Sequence, residues 1–280
     1  MESLVSTDWL ERELESPDLK LIDATAFLPG SGRDARAEHE QAHIPGAVFL
    51  DLDEVSDTDS PFPHMLPPAH KFASRMQSLG GRDGARFVAY DNSPLHSAAR
   101  LWWMLRAFGA HYVALLDGGF QKWTAEGRPV ESGRVPHRHG HFTALLDEAA
   151  VAGKAEVRAL VGAGSHEIVD ARSAERFAGA EEEPRAGLAS GHIPGARNLP
   201  QSFLFNPDNS WKRGDALRAA FETAGVDLAR PMVTTCGSGV TAAVLLFGAH
   251  LLGKEDIRLY DGSWSEWGAD SETPKSKGMA

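Results

Sequence analysis

Two contrasting patterns meet near residue 236 of this chain. Met232–Thr235 is a short apolar run with β-branched members behind Pro231, the pattern of an internal strand. From Ala242 to Leu252 the residues are helix formers with almost no polar face, and Gly253 marks the stop. A tight loop, Cys236-Gly237-Ser238-Gly239-Val240-Thr241, joins the two. Trp102, Trp103 and their apolar neighbours read as a second core helix. No apolar run approaches the ~20 residues that cross a bilayer. The stretch from Ser271 to Ala280 is polar and is expected to fray.

The same patterns occur twice. Leu21-Ile22-Asp23-Ala24 returns as Ile168-Val169-Asp170-Ala171, and His43-Ile44-Pro45-Gly46-Ala47 returns as His192-Ile193-Pro194-Gly195-Ala196. Asp117-Gly118-Gly119-Phe120 with Trp123 returns as Asp261-Gly262-Ser263-Trp264 with Trp267. Asp23 and Asp170 lie 147 residues apart, His43 and His192 149, Asp117 and Asp261 144. Near-constant spacing over half the chain means two copies of one fold rather than a solenoid. Each copy alternates strands with helices, which predicts an α/β fold with a mostly parallel sheet flanked by helices. The expected division is a domain over 1–126, a linker from Gly127 to Phe142 rich in Gly, Pro, Arg and His, and a domain over 143–280. Ser56 to Pro68, with four prolines, has no counterpart in the second copy and is a candidate pocket wall.

Composition narrows the function classes. With 28 basic against 39 acidic residues the chain carries −11, which argues against nucleic acid or an anionic membrane as the main partner. One cysteine allows no intrachain disulfide, and the N-terminal residues show neither a basic nor an apolar signal region, so a cytoplasmic location is expected. His137, His139 and His141 alternate, but without further ligands at suitable spacing they read as a solvated linker, and no metal or other cofactor is expected.

The lone cysteine carries the chemistry. Gly237 and Gly239 allow backbone angles that turn several N–H groups to one side. The following helix start adds unpaired donors and a positive dipole end. Such a nest stabilises an anion. A free thiol titrates at about 8.5, and helix N-termini lower that value, so the loop is suited to a thiolate or a sulfur anion attached to it. The plain alternative is a small buried apolar residue at a strand end. In the first copy Asp91 occupies the cysteine position and Asn92-Ser93-Pro94 replaces the glycine loop. A carboxylate cannot carry a transferable sulfur, so that copy is expected to be chemically silent.

These residues resemble the two-domain rhodanese family. The likeness rests on His-Ile-Pro-Gly-Ala in both halves, the 100–109 and 115–119 stretches, Tyr260-Asp261-Gly262-Ser263-Trp264, and the cysteine loop in the second half only. It implies two rhodanese-like domains and transfer of a sulfane sulfur through a cysteine persulfide. It also implies a small-molecule donor, with thioredoxin, another dithiol or cyanide as acceptor. Members that prefer thiosulfate carry a basic pair after the cysteine; Gly237-Ser238 resembles those that take 3-mercaptopyruvate. Arg176 and Arg185 match positions that bind the donor's carboxylate and carbonyl, as a planar guanidinium fork suits. Read without the resemblance, each would pair with Glu175, Glu181, Glu182 or Glu183 on the surface. Cys236 is the nucleophile and Ser238 the oxyanion or proton partner, with Gly237, Gly239, Val240 and Thr241 around the substrate. Asp34 and His43 stand where a relay to Ser238 would fall, although the repeat makes His43 and His192 equivalent turn residues.

Two other classes remain. Cysteine phosphatases share the strand, loop and helix but need arginine six residues after the cysteine, where this chain has Ala242. A non-catalytic binding module would have no use for an intact nest around Cys236. Within sulfur transfer, a thiosulfate:cyanide sulfurtransferase is the alternative.

Overall fold

The computed structural model describes residues 1–279, and these form two compact α/β units. The first comprises residues 1–58, 66–147 and 206–211; the second comprises residues 59–65, 148–205 and 212 onward. In the first unit the strands are β1 (Leu4–Val5), β2 (Leu19–Asp23), β3 (Val48–Phe49), β4 (Arg86–Tyr90) and β5 (Val113–Leu116), ordered β1-β5-β4-β2-β3. In the second they are β6 (Val151–Ala152), β7 (Glu167–Asp170), β8 (Arg197–Asn198), β9 (Met232–Thr235) and β10 (Ile257–Tyr260), ordered β6-β10-β9-β7-β8. All pairings are parallel, and the two sheets share one topology.

The middle strands, β4 and β9, are buried on both faces, which is why they read as continuous apolar runs rather than alternating ones. Each feeds a buried helix, Ala98–Ala107 or Ala242–Leu251. The second of these is apolar all round and ends where the sequence indicates, with Leu252 as cap and Gly253 at φ +82°. No helix among the described residues is long and apolar enough to cross a membrane.

The repeated motifs do the same work in each unit. His43 and His192 exchange backbone hydrogen bonds with Glu131 and Ser276. Their rings stack at 4.2 Å on His39 and at 3.8 Å on Phe177. The Pro-Gly that follows forms a turn closed by Ala47 N–H to Ile44 O and by Ala196 N–H to Ile193 O, each 3.0 Å. Trp123 and Trp267 are fully buried, and their indole N–H groups donate to Pro129 O at 2.7 Å and Pro274 O at 2.8 Å.

Two expectations change. The stretch 127–142 packs as part of the first unit, whose second segment runs on to Asp147. Glu131 bridges to His43, Gly140 N–H reaches Gln77 O, and buried Phe142 sets its ring edge against Phe72 and Phe87. The C-terminal stretch is likewise held: Thr273 is buried, Ser276 pairs with His192, and Gly278 N–H donates to Ala178 O. Irregular, polar sequence hid both attachments because most of them are made by backbone groups, with single buried side chains, Phe142 and Thr273, as the exceptions.

Asp91 follows β4 directly and is buried. Its carboxylate accepts from the N–H of Ser93 at 3.1 Å and of Ala98 at 2.8 Å. Burial outweighs those donors and, with the charge of Asp23 nearby, pushes Asp91 up to about 7. A carboxyl raised in the folded state contributes stability below its unfolded value, near 4, and that contribution is lost as pH rises to about 7. Asp91→Asn removes the titration. Its unfolding free energy should therefore gain on wild type by roughly 2 kcal/mol between pH 5 and 7.5. Denaturant titrations at several pH values check this; a gap between the two proteins that stays constant with pH contradicts it.

Candidate active site

Cys236 is the first residue after β9 and is 2 % exposed. This is the carboxyl end of the central strand, where ligands bind in open parallel sheets. The backbone on either side is pinned from behind. Cys236 N–H donates to Ser263 Oγ at 3.2 Å, and Cys236 O accepts from Trp264 N–H at 2.9 Å. Gly237 O accepts from Ser265 N–H at 2.9 Å and from its hydroxyl at 2.7 Å. The repeated Asp-Gly segment thus exists to hold this loop; in the first unit Phe120 N–H docks on Asp91 O in the same way, at 3.0 Å.

With the carbonyls tied back, the loop amides are left for other partners. Gly239 turns the loop at φ +80°, a left-handed conformation that favours glycine. Among the described residues, the backbone N–H groups of Gly237, Ser238, Val240 and Thr241 make no hydrogen bond. The first unit illustrates what such amides do, since the Asp91 carboxylate collects the N–H groups two and seven residues beyond it. Here the two-residue counterpart is Ser238 N–H, and the residue in the place of Asp91 is Cys236.

Arg176 lies against this loop: a Cβ added to Gly237 would stand 3.0 Å from Arg176 Nη2. The same Nη2 donates to Glu183 Oε2 at 2.5 Å, while Arg176 Nε is buried with no hydrogen-bond partner. Glu183 Oε1 takes Arg172 Nη1 at 2.6 Å. Arg172 in turn binds Asp170 through Nη2 at 2.7 Å and Gly191 O at 2.8 Å, and its guanidinium lies 4.5 Å over the Trp264 ring. Burial opposes the charge on Arg172, but Asp170 and Glu183 outweigh it and hold its pKa above the ordinary value. Arg185, two residues past Glu183, is half-buried. Sequence reasoning passed over Arg172 and named Glu183 only as one of four possible surface partners of the two arginines; the structure pairs it with Arg176, enclosed rather than on the surface. The repeat held a signal for the first: Asp23 and Asp170 match, but the residue two further on is Thr25 in one copy and Arg172 in the other.

The hydroxyl of Ser238 stands 2.8 Å from His64 Nδ1. His64 belongs to the 59–65 segment of the same unit and has φ +60°, an uncommon conformation for a residue with a side chain. It lies in the proline-rich stretch singled out as a pocket wall, but sequence reasoning did not single out the histidine itself. Asp34 and His43, named as relay candidates, do other work in the first unit. Asp34 caps the helix Ala35–Gln41 by accepting from Ala37 N–H at 3.0 Å. His43 is fully buried, with Nδ1 2.7 Å from His39 O and Nε2 3.3 Å from Glu131 Oε1. Both rings of the Pro-Gly turns are occupied structurally, so the relay assignment to Asp34 and His43 is not supported; the imidazole beside Ser238 is that of His64. No cluster of three or more His, Cys, Asp or Glu positioned for a metal is found among the described residues.

Comparison with known proteins agrees with this geometry. The rhodanese-like domain profile matches twice, over residues 6–126 and 154–270. The chain is 45 % identical over 271 residues to 3-mercaptopyruvate sulfurtransferase of Rattus norvegicus, spanning 95 % of this chain and 91 % of that one. It is 41 % identical over 287 residues to thiosulfate sulfurtransferase of Cricetulus griseus, spanning 99 % and 96 %. The crystal structure of the Escherichia coli 3-mercaptopyruvate sulfotransferase SseA superimposes with a TM-score of 0.87 at 39 % identity, covering 95 % of this chain and all of that one. With its two matched domains, its single cysteine at the end of a central strand and relatives of this closeness over nearly its whole length, the chain belongs to the rhodanese family of sulfurtransferases.

Proposed function

We propose that this protein moves sulfane sulfur from 3-mercaptopyruvate to a thiol or cyanide acceptor and releases pyruvate. The observation that carries the choice of donor is the pairing of a cysteine loop that has no cation of its own, Gly237-Ser238, with Arg176 against Gly237. Relatives named for 3-mercaptopyruvate reach 45 % identity, against 41 % for the thiosulfate sulfurtransferase compared above, in line with this donor.

In the first half-reaction the Cys236 thiolate attacks the donor sulfur. An S–S bond forms, the donor C–S bond breaks, and its electron pair leaves on carbon as the enolate of pyruvate. Arg176 and Arg185 meet the carboxylate and carbonyl. Ser238 and His64 supply the proton that the enolate carbon needs, the hydroxyl lying nearest the loop and the imidazole behind it. The outer sulfur of the persulfide rests against the N–H groups of Gly237, Ser238, Val240 and Thr241, with Gly239 setting the turn. In the second half an acceptor thiolate or cyanide attacks that sulfur and Cys236 leaves as thiolate, the logic of disulfide exchange. The first unit, with Asp91 in place of the cysteine, takes no part in the chemistry. A cytoplasmic setting suits a lone nucleophilic thiol, and cell fractionation tests it.

Cys236→Ser should abolish turnover and leave the fold intact, because a hydroxyl is neither ionised near neutral pH nor drawn to sulfur. Mass spectrometry of wild type after donor alone should find about 32 Da added at Cys236. Turnover by the serine variant overturns the scheme.

His64→Ala and Ser238→Ala should each lower kcat by roughly 100-fold, within the usual range for general acid–base groups. Because the two act as one relay, the double variant should be little worse than either single one. Additive losses would separate their roles.

The donor choice is tested by Gly237→Arg with Ser238→Lys. Thiosulfate is a compact dianion, and each of its charges is repelled by a thiolate with roughly 4 kcal/mol at 4 Å and an effective dielectric of 20. Two added cations offset that. The arginine would also displace Arg176, whose Nη2 already stands 3.0 Å from the position of a Cβ at Gly237. The ratio of kcat/KM for thiosulfate to that for mercaptopyruvate should rise at least about tenfold. An unchanged ratio, read as sulfite against pyruvate release, removes the main support for mercaptopyruvate; a wild type that already favours thiosulfate makes the thiosulfate reading the correct one.

A further inference from the structure

A row of alternating charges, Asp170, Arg172, Glu183 and Arg176, runs from the end of β7 to the cysteine loop. Its inner members are almost wholly enclosed: side-chain exposure is 1 % for Asp170 and Arg172 and 2 % for Glu183, against 17 % for Arg176. Each oxygen of Glu183 takes one guanidinium, so the carboxylate is saturated by two cations that would otherwise repel each other. Asp170 is a feature of both copies; the first-unit counterpart Asp23 holds Thr25 N–H at 3.0 Å just as Asp170 holds Arg172 N–H at 3.0 Å. The remaining oxygen of Asp23 goes to His39 Nδ1 at 2.9 Å, whereas Asp170 turns to Arg172. Arg172 and the carboxylate it fixes therefore separate the active copy from the silent one, as Cys236 does.

We propose that Glu183, anchored by Arg172, is a positioning residue for the donor half-reaction: it holds Arg176 against the cysteine loop and at the same time masks that arginine's charge from anions other than the donor. The inference deepens the reading above and rests on it for the role of Arg176. Two observations on the arginine support it. Its Nη2 is committed to Glu183, which fixes the plane of the guanidinium beside Gly237. Its Nε is a buried donor without an acceptor, a rare state in a folded protein, and one that a bound carboxylate or carbonyl relieves. A free arginine on the same loop would bind any small oxyanion; one already paired to a buried carboxylate binds only a ligand that brings further contacts, such as a thiol sulfur at Cys236.

Glu183→Gln tests this, because the amide keeps the shape but has one oxygen and one NH2 group. Fully enclosed Arg172 retains the oxygen, so the NH2 group faces Arg176 and releases it. For mercaptopyruvate, kcat/KM should fall by about tenfold or more, with KM rising, while inorganic sulfate, measured as a competitive inhibitor and by calorimetry, should bind several-fold more tightly. Arg176→Ala should lose on both readouts. Adding Glu183→Gln to Arg176→Ala should change donor kinetics no further, since a residue that acts through another has nothing left to act on. Donor kinetics within twofold of wild type, unchanged or weaker sulfate binding, or a further loss in the double variant would each overturn the proposal. Should Glu183→Gln fail to fold, Glu183→Asp serves: it keeps an anion beside Arg172 but cannot span both guanidiniums, so the same loss on mercaptopyruvate is expected and wild-type kinetics contradict it. Pyruvate release by wild type tests the donor reading separately, and the sulfate measurements stand whichever donor is used.

Discussion

The active site depends on the direction of a few peptide groups just after the central strand. Trp264 N–H and Ser265 take the carbonyls of Cys236 and Gly237 from behind. Those oxygens are committed, the amides of Gly237, Ser238, Val240 and Thr241 have no partner among the described residues, and Gly239 at φ +80° lets the chain complete the bend. Neither a charged side chain nor a metal is needed to make the loop attract an anion; partial charges of oriented N–H groups and the start of a buried helix suffice.

The duplicated fold separates what this scaffold requires from what the reaction requires. Both units keep the five-stranded parallel sheet, the histidine stacked under a Pro-Gly turn, the buried tryptophan and the Asp-Gly segment docked on the residue after the central strand. They part where chemistry begins. In one unit a carboxylate fills its own ring of amides and is raised toward neutrality by burial. In the other a thiol takes the carboxylate's place beside a loop whose amides are unpaired, and the neighbouring strand end carries Arg172 in place of threonine. The first unit thus holds a buried carboxyl group at the place where the second carries its cysteine.

Electrostatics near Cys236 are arranged in layers. Enclosed ion pairs are expensive unless every partner is satisfied. The row from Asp170 to Arg176 meets that condition at its inner end, where Arg172 has two carboxylates and a carbonyl, and leaves it unmet only at the outer end, where Arg176 Nε lacks an acceptor. An incomplete hydrogen-bond set at the edge of a rigid, complete one is what a preorganised binding group looks like.

Much of this was legible in the linear chain, for a definite reason. Strand Met232–Thr235, the helix that follows to Leu251, the stop at Gly253 and the duplication all follow from local apolar periodicity and from motifs that recur at near-constant spacing. Cys236 stood out because the glycines and helix start that make its environment are its sequence neighbours. What lay beyond reach was every partner brought in from a distance. His64 is 174 residues from Ser238, and the irregular 127–142 stretch joins the first unit through scattered backbone bonds and the buried ring of Phe142. Asp34 and His43 were plausible by motif but proved to be a helix cap and a buried turn histidine. Local propensity and repeat spacing are properties of the chain itself; which hydroxyl meets which imidazole, and which carboxylate holds which guanidinium, is decided only when packing sets the strand ends and loops side by side.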